Sequence, residues 1–350
     1  MTRKKRRLVM IGTAGVLTER PSTPAHRKMS ESLNRNMYEQ LVRGIADGPR
    51  KTEAEIRTLL DQGPFVHEDA LRAGLVDDLL YEDQIDDKVK ELKPDSGDVR
   101  RVDGAAYQRT SPRSAGIRPR WRIAVLDGDG ATADGRSTVD PINGAIVGSD
   151  TMVEQIRQVR DDESIKAIVL RIDSPGGSST ASDVIWRELT ITRDQNPSRP
   201  LVASMSDLAA SGGYYIAMPA QEIVAQPATL TGSIGIYSGK LVTDGTMSKL
   251  GINTETITSG RNAGIYSPFS RFSPEQQAKV EEYMQAFYDQ FVEKAAKSRQ
   301  MSPERVDAIA QGRVWTGRQA RELGLVDHVG GLDTAVAVAK QRARIPPDED

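Results

Sequence analysis

Residues 165–172 form a nearly continuous apolar run between turn-forming residues, and this run constrains the fold more than any other feature. Such a run is typical of a β-strand buried on both faces, as in a parallel sheet covered by helices. Strands that alternate with helices predict parallel βαβ units, and hence an α/β fold. The sequence alternates in this way, with strand-like runs at 121–126, 200–205 and 222–225 and helical periodicity at 153–159, 179–192 and 211–218.

Composition removes several classes of function. The 350 residues carry a net charge of -2, so no global field attracts nucleic acid. The chain has 0 Cys, which excludes disulfides, a thiol nucleophile and cysteine metal sites. No apolar run approaches the length of a membrane span. A basic stretch at residues 3–7 before the apolar residues 8–11 has two interpretations, the start of an export signal or a basic leader on a buried strand.

The chain repeats itself weakly at an offset of 250 residues. Residues 93–119 are rich in Pro, Gly, Ser, Asp and Arg and predict a surface linker between the copies. We therefore expect residues 1–92 to duplicate only the helical tail of a unit whose complete copy spans 120–340, with a flexible tail at 341–350. The matches are Pro24 with Pro274, Tyr38 with Tyr288, 62–63 with 311–312 after a one-residue slip, and 73–77 with 323–327.

Two glycine-containing motifs follow two of the predicted strands. Residues 173–177 read Asp-Ser-Pro-Gly-Gly, and residues 209–215 read Ala-Ala-Ser-Gly-Gly-Tyr-Tyr. Open parallel sheets hold their sites at the carboxyl ends of the strands, so we expect both motifs at one site. The first motif can turn the amides of Gly176 and Gly177 toward an oxyanion. The second supplies Ser211 as a nucleophile, with small neighbours such as Gly212 that let a peptide backbone approach.

Each motif also has a structural interpretation. Ser211 can cap a helix, residues 175–177 can form a tight turn, and Asp173 can cap the segment after it. A third motif at residues 229–235, Thr-Leu-Thr-Gly-Ser-Ile-Gly, either lines a substrate groove or forms a turn. Its Ser233 lacks the strand–serine–helix context of Ser211. The pairing of the first two motifs favours acyl-transfer chemistry, most simply peptide hydrolysis.

A serine nucleophile needs a base, and the sequence does not identify one. The three histidines, His26, His67 and His328, are explained as surface residues, although a Ser-His-Asp triad can assemble from distant positions. Lysine is the other partner found in serine hydrolases. Lys240 follows a Tyr-Ser-Gly sequence near a glycine turn and is the best lysine of the complete copy. Its structural interpretation is an exposed loop lysine.

Together with Leu-Gly-Leu-Val-Asp at residues 323–327, these motifs resemble the signal peptide peptidase A family. The resemblance implies serine peptidases with a Clp-protease and crotonase-like core, a Ser-Lys dyad, and no metal or cofactor. It implies that Ser211 is the nucleophile and that the glycines after Pro175 supply an oxyanion amide. Members cleave remnant signal peptides in the cell envelope. Long members carry two repeats, assemble as a ring-like tetramer, and place the lysine in the first repeat.

The sequence departs from this family at the lysine. In short members the lysine follows a Ser-Gly pair in a stretch like residues 259–265, and Ala263 takes its place here. The slot of the first repeat falls near residues 12–14, Gly-Thr-Ala, again without a lysine. We therefore expect a long, two-repeat form that lacks most of its first repeat, together with its base. Replacement by Lys4 or Lys5 is disfavoured, because a free terminus places a side chain poorly.

The prediction from sequence is a serine endopeptidase of signal peptide peptidase type, with an acyl-enzyme on Ser211 and amides of Gly176, Gly177 and Gly212 at the oxyanion. Two alternatives stay open, namely an inactive peptide-binding or assembly subunit and a crotonase-type acyl-CoA enzyme. We expect apolar peptide substrates, no metal or cofactor, no nucleic acid, a homo-oligomer and contact with a membrane surface. The resemblance implies the cell envelope, and the sequence leaves a cytoplasmic location open.

Overall fold

The computed structural model describes residues 24–48, 51–93, 101–102, 104, 107, 109, 120–142, 144–252, 254–257 and 262–346. These residues belong to two compact units, and the division falls inside the first helix, after Leu33. One unit contains residues 121–346 and the start of that helix, and the other contains residues 34–93. The predicted linker at 93–119 lies almost entirely outside the described residues, so its boundaries stay a prediction.

The unit formed by residues 121–346 alternates strands with helices as predicted. Its strands are β1 Arg122–Asp129, β2 Ala131–Ala133, β3 Thr138–Asp140, β4 Gly144–Gly148, β5 Ile165–Ser174, β6 Leu201–Ala210, β7 Glu222–Ala225, β8 Leu230–Gly232, β9 Val314–Thr316 and β10 His328–Val329. The helices before it are α1 Pro24–Asp47, α2 Glu53–Gln62, α3 His67–Arg72 and α4 Ile85–Leu92. The helices within it are α5 Ser149–Asp161, α6 Ser179–Gln195, α7 Gly212–Ala217, α8 Asp244–Lys249, α9 Pro274–Arg299, α10 Pro303–Ile309, α11 Gly317–Leu323 and α12 Leu332–Arg342.

The main sheet is mostly parallel and has the strand order β1-β5-β6-β7-β10. The first half of β6 pairs with β7, and its last residues, 208–210, pair with β8, which in turn pairs antiparallel with β9. A smaller sheet has the order β2-β4-β3. Because β5 and β6 run parallel and their pairing reaches Ser174 and Ala209, after a register shift beyond Ile172, both strands end at the same edge of the sheet.

The core explains why residues 165–172 are apolar almost throughout. Alternate side chains of β5 point to opposite faces of the sheet. Ile168 and Leu170 belong to the larger core cluster, which helices α5, α6, α7 and α9 cover, whereas Ala167 and Val169 belong to a second cluster under α12. All four are at most 1% exposed. The predicted doubly covered strand is therefore confirmed.

The predicted internal repeat has matching local structure. Helices α1 and α9 begin at Pro24 and Pro274, and helices α2 and α10 begin after the capping residues Thr52 and Ser302, 250 residues apart in each case. The two Gly-Leu-Val-Asp motifs also agree in detail. Gly74 and Gly324 both follow a helix at positive φ, 64° and 82°, and the next leucine N–H donates to the residue five positions earlier in both copies.

The expected fold class, a Clp and crotonase-like parallel sheet preceded by a mainly helical segment, agrees with the structure. Most predicted elements extend slightly beyond their apolar runs; the strand predicted at 200–205, for example, continues to Ala210. Within the residues that the structure describes, no helix combines the length and the apolar character that crossing a membrane requires.

Candidate active site

Ser211 lies at the turn between the end of β6 and the start of α7. Its backbone has φ 53° and ψ -117°. A residue with a Cβ held in such a region costs ~1–3 kcal/mol, and strain of this kind concentrates at functional sites. The Ser211 N–H donates to the carbonyl of Gly232 at 2.9 Å, and the Ser211 carbonyl accepts the N–H of Tyr215 at 2.9 Å. The hydroxyl makes no capping hydrogen bond to α7, so the helix-cap interpretation of this serine is wrong.

The Pro-Gly-Gly turn that follows β5 lies directly against Ser211. A Cβ added to Gly176, which has φ 89°, would come within 2.3 Å of the Gly212 nitrogen and 2.9 Å of the Ser211 Cβ. A Cβ added to Gly212 would come within 3.0 Å of the Gly176 Cα. The structure thus brings Ser211, Gly176, Gly177 and Gly212 together, as expected from the shared edge of β5 and β6. Only glycine allows this approach of the two backbones.

The amide groups at this junction differ in their availability. The Gly176 N–H donates to the Ser174 hydroxyl at 3.1 Å, so an internal acceptor already occupies it. Gly177 forms a parallel bridge with Thr132 through the groups on either side of it, the Gly176 carbonyl and the Ser178 N–H. Its own N–H therefore points away from β2. Gly212 is the first residue of α7, where backbone N–H groups lack an acceptor within the helix.

The two tyrosines after Ser211 anchor α7. The Tyr214 hydroxyl donates to the carbonyl of Leu325 at 2.9 Å, and the Tyr215 hydroxyl donates to Asp183 on α6 at 2.6 Å. Burial raises the pKa of both phenols, and Asp183 raises that of Tyr215 further. Both side chains therefore stay neutral and hold the helix start, and with it Ser211, in place.

Two expectations about flanking motifs are corrected. Asp173 does not cap the helix after it; its carboxylate accepts the N–H of Leu208 at 3.2 Å, and Ser178 caps α6 instead. Residues 230–232 of the third motif do not form a turn, because they form β8 beside the end of β6; the other interpretation, a substrate groove, stays a prediction. The Thr231 hydroxyl donates to the Ala209 carbonyl at 2.7 Å, so this motif supports the strand that carries Ser211.

Two buried hydroxyls at the site belong to no motif and were missed by sequence reasoning. Thr132 on β2 is 3% exposed and Ser182 on α6 is 1% exposed, and their oxygens lie 3.1 Å apart. A Cβ on Gly212 would come within 2.5 Å of the Ser182 Oγ and 3.1 Å of the Thr132 Oγ1. The short strand β2 carried no sequence signal, since nothing in residues 130–133 distinguishes a buried threonine from a loop threonine.

The candidate bases occupy different surroundings. Lys240 is not the exposed loop lysine we expected, because its Nζ is buried, without a hydrogen-bond partner among the described residues, and lies 4.4 Å from the centre of the Phe272 ring. His328 pairs with Glu222 at 3.2 Å, and the exposed His67 pairs with Glu68 at 3.0 Å. Within the described part of the chain, no side chain forms a hydrogen bond with the Ser211 hydroxyl.

The lysine slot of the short family members is only partly described. Ala263 is exposed in a turn, whereas residues 258–261 lie outside the described residues. The first-repeat slot near residues 12–14, and Lys4 and Lys5, also lie outside them. No predicted position in the described residues therefore supplies a lysine next to Ser211.

A parallel sheet with helices on both faces, and a strained serine against a glycine turn at the carboxyl ends of adjacent strands, define the Clp and crotonase class of α/β proteins. Residues 193–346 match the model of Peptidase family S49. The chain is 36% identical over 334 residues to "Serine protease SPPA, chloroplastic" of Arabidopsis thaliana. The aligned region covers 94% of this chain and 49% of that relative. It is 44% identical over 223 residues to "Protease 4" of Salmonella typhi, covering 64% of this chain and 35% of the relative.

A third relative is a Synechocystis sp. protein that is named as a protease. It is 34% identical over 209 residues, which cover 59% of this chain and 74% of that protein. The chain belongs to peptidase family S49, the signal peptide peptidase A family. It spans about half or less of the length of the Arabidopsis and Salmonella relatives.

Proposed function

We propose that the chain is the nucleophile-bearing part of a serine endopeptidase, and that Ser211 forms the acyl-enzyme. The observation that carries this proposal is the strained backbone of Ser211 held against the Gly176–Gly177 turn. A serine that served only as a helix cap would adopt an extended backbone, and its hydroxyl oxygen would accept a backbone N–H of the first helical turn. Ser211 does neither, so its hydroxyl is left for chemistry.

The reaction follows from the arrangement of donors. The Ser211 Oγ attacks the carbonyl carbon of a peptide bond while a base takes the hydroxyl proton, and the carbonyl oxygen becomes an oxyanion. The N–H groups of Gly177 and Gly212 donate to that oxyanion. The amine then leaves with a proton, and water releases the acyl group from Ser211. Each oxyanion donor contributes about 10²–10³ in rate in serine peptidases.

Gly176 takes a different role from the one expected. Its N–H is engaged by the Ser174 hydroxyl, so we assign Gly176 to the close approach of the two loops rather than to the oxyanion. This division leaves two donors, one from each motif. It also explains why the motif needs two consecutive glycines, since one supplies space and the other supplies the amide.

We further propose that the lysine of the dyad is missing from this site. Ala263 stands where short members carry it, and the Ser211 hydroxyl has no side-chain partner in the described residues. Without that lysine, Ser211 is acylated slowly. An inactive peptide-binding subunit is the second candidate, and the same two observations favour it.

Restoring the lysine separates these candidates. We expect Ala263→Lys to raise hydrolysis of an apolar fluorogenic peptide at least tenfold over wild type, because short family members carry at this position the lysine that accepts the proton of the serine. Ala263→Met and Ala263→Arg are the matched controls, since neither side chain can act as a neutral base. Ser211→Ala in the Ala263→Lys background must abolish the gain. Equal, negligible hydrolysis by all variants, with peptide binding retained, would favour the binding subunit.

The substrate class, the assembly and the location are proposed on family membership. One relative from Enterococcus faecium carries a signal peptide peptidase name, and we propose signal-peptide remnants and similar apolar peptides as substrates. We also propose a homo-oligomer in the cell envelope at a membrane surface. Light scattering of the purified chain tests the homo-oligomer, since the mass of a monomer would contradict it. Fractionation of cells that express the chain tests the location in the cell envelope.

A further inference from the structure

The hydroxyl pair Thr132–Ser182 connects the two loops that carry the oxyanion donors. The main chain of Thr132 forms two hydrogen bonds with the glycine turn. Its N–H donates to the Gly176 carbonyl at 2.9 Å, and its carbonyl accepts the Ser178 N–H at 2.8 Å. Gly177 is therefore held between two hydrogen bonds to one residue. A Cβ on Gly177 would lie 2.2 Å from the Thr132 carbonyl oxygen, which shows how close this contact is.

The hydroxyls of Thr132 and Ser182 form a short series of hydrogen bonds, in which each donor can be identified. The Ser182 Oγ lies 2.8 Å from the Ser178 carbonyl, which can only accept, so Ser182 uses its single proton there. The contact of 3.1 Å between Thr132 and Ser182 must then be donated by Thr132. The series runs from the Thr132 hydroxyl through the Ser182 hydroxyl to the Ser178 carbonyl.

This series of hydroxyls lies beneath both donor glycines. The Thr132 Oγ1 would be 3.0 Å from a Cβ on Gly177 and 3.1 Å from a Cβ on Gly212, so one oxygen lies beside both glycines. The hydroxyl oxygens fill the space between the turn after β5 and the start of α7. Because the interior is close-packed, replacing the Thr132 hydroxyl by a bulkier methyl group shifts the two backbones apart. Removing the Ser182 hydroxyl instead leaves the Thr132 hydroxyl without its acceptor and the space between the loops unfilled.

We propose that Thr132 and Ser182 are positioning residues, which set the separation of the Gly177 and Gly212 N–H groups so that both can donate to one oxygen. This inference rests on the proposed function. Neither residue contacts the reacting atoms; both act through the two glycines. An ångström of misplacement is sufficient to lower the rate of a positioned reaction about 10²-fold.

The test uses product binding and therefore needs no base. Two apolar hexapeptides with the same sequence, one ending in a free carboxylate and the other in a carboxamide, are titrated against the full chain. A carboxylate oxygen accepts from both donors, as the oxyanion does, and charged acceptors bind more strongly than neutral ones. We expect wild type to prefer the acid at least fivefold. Thr132→Val and Ser182→Ala should each reduce this preference below twofold, with the affinity for the amide unchanged.

Two further variants control the measurement. Thr132→Ser keeps the hydroxyl and should retain the wild-type preference for the acid over the carboxamide. Thr192→Val removes a hydroxyl of equal burial, 3% exposed, that donates to the Glu188 carbonyl within α6, and it should leave the preference as in wild type. The amide affinity reports whether each variant is folded, and Ser182→Ala serves if Thr132→Val does not fold.

The outcomes separate the two claims. A wild-type chain that binds acid and amide equally overturns the oxyanion assignment of the proposed function, and this inference with it. A clear wild-type preference that persists in Thr132→Val and Ser182→Ala overturns this inference alone. Loss of the preference in Thr192→Val as well would assign the effect to general loosening of the core, and would also overturn it.

Discussion

A side-chain carbon on Gly176 would lie 2.9 Å from the Cβ of Ser211, closer than real Cβ atoms approach each other. The glycine at 176 is thus a condition for the serine at 211 to keep its position. It also has φ 89°, which an alanine adopts only with strain.

Gly176→Ala should therefore reduce the reactivity of Ser211 at least tenfold, because the turn after β5 must move away and carry the Gly177 donor with it. The rate of labelling by a serine-directed phosphonate measures this. Gly239→Ala is the matched control, since nothing lies within 4 Å of a Cβ there. Unchanged labelling in Gly176→Ala would contradict the assigned contact between the loops.

Lys240 should not act as the base. Its buried Nζ lies 4.4 Å from the centre of the Phe272 ring and forms no hydrogen bond with the Ser211 hydroxyl. We expect Lys240→Met to leave the labelling rate of Ser211 within about twofold of wild type, because no hydrogen bond joins the Lys240 Nζ to that serine. A loss of labelling by an order of magnitude, in a variant with native circular dichroism, would make Lys240 the base instead.

The free energy of unfolding should depend on pH through the carboxylate of Glu188. Its buried carboxylate accepts from Arg157 at 2.9 Å and Arg160 at 2.5 Å, and the hydrogen bond from Arg157, strengthened by Arg160, holds the pKa of Glu188 below its usual 4.5. A lowered folded-state pKa stabilises the protein above the unfolded pKa, and this contribution is lost as the pH falls through the folded value.

The measurement is the free energy of unfolding by urea at pH 7 and pH 3. Wild type should lose more stability between these values than Glu188→Gln, which has no carboxylate to protonate. Glu154→Gln, in an exposed pair with Arg136, is the control and should lose as much as wild type. An equal pH dependence in Glu188→Gln and wild type would contradict the prediction.

The Leu-Gly-Leu-Val-Asp motif should be structural rather than catalytic. Asp327 binds the guanidinium of Arg299, which is 8% exposed in its side chain, and also accepts the N–H of Ile223 at 2.8 Å. Asp327→Asn leaves a buried cation without its partner and should cost about 3 kcal/mol or more. Asp77, at the position 250 residues earlier, is exposed, and Asp77→Asn should cost less than about 0.5 kcal/mol. Equal costs, measured by urea unfolding, would contradict this assignment.

The sequence predicted the elements that depend on local patterns. The apolar run of β5, the serine at the end of β6 and the glycine turn beside it follow from periodicity and from the rule that parallel strands end at one edge. It did not predict Thr132 or Ser182, because burial of a hydroxyl depends on packing between distant elements. For the same reason Lys240 was misjudged, since the ring of Phe272 that covers it lies 32 residues further along the chain.

The most direct test of the account is to map the site of phosphonate modification by mass spectrometry in wild type and in Ala263→Lys. We predict one adduct, on the peptide that contains Ser211, formed slowly in wild type and at least tenfold faster in Ala263→Lys. Modification at Ser233 or another serine, or no adduct on Ser211 in either protein, would contradict it.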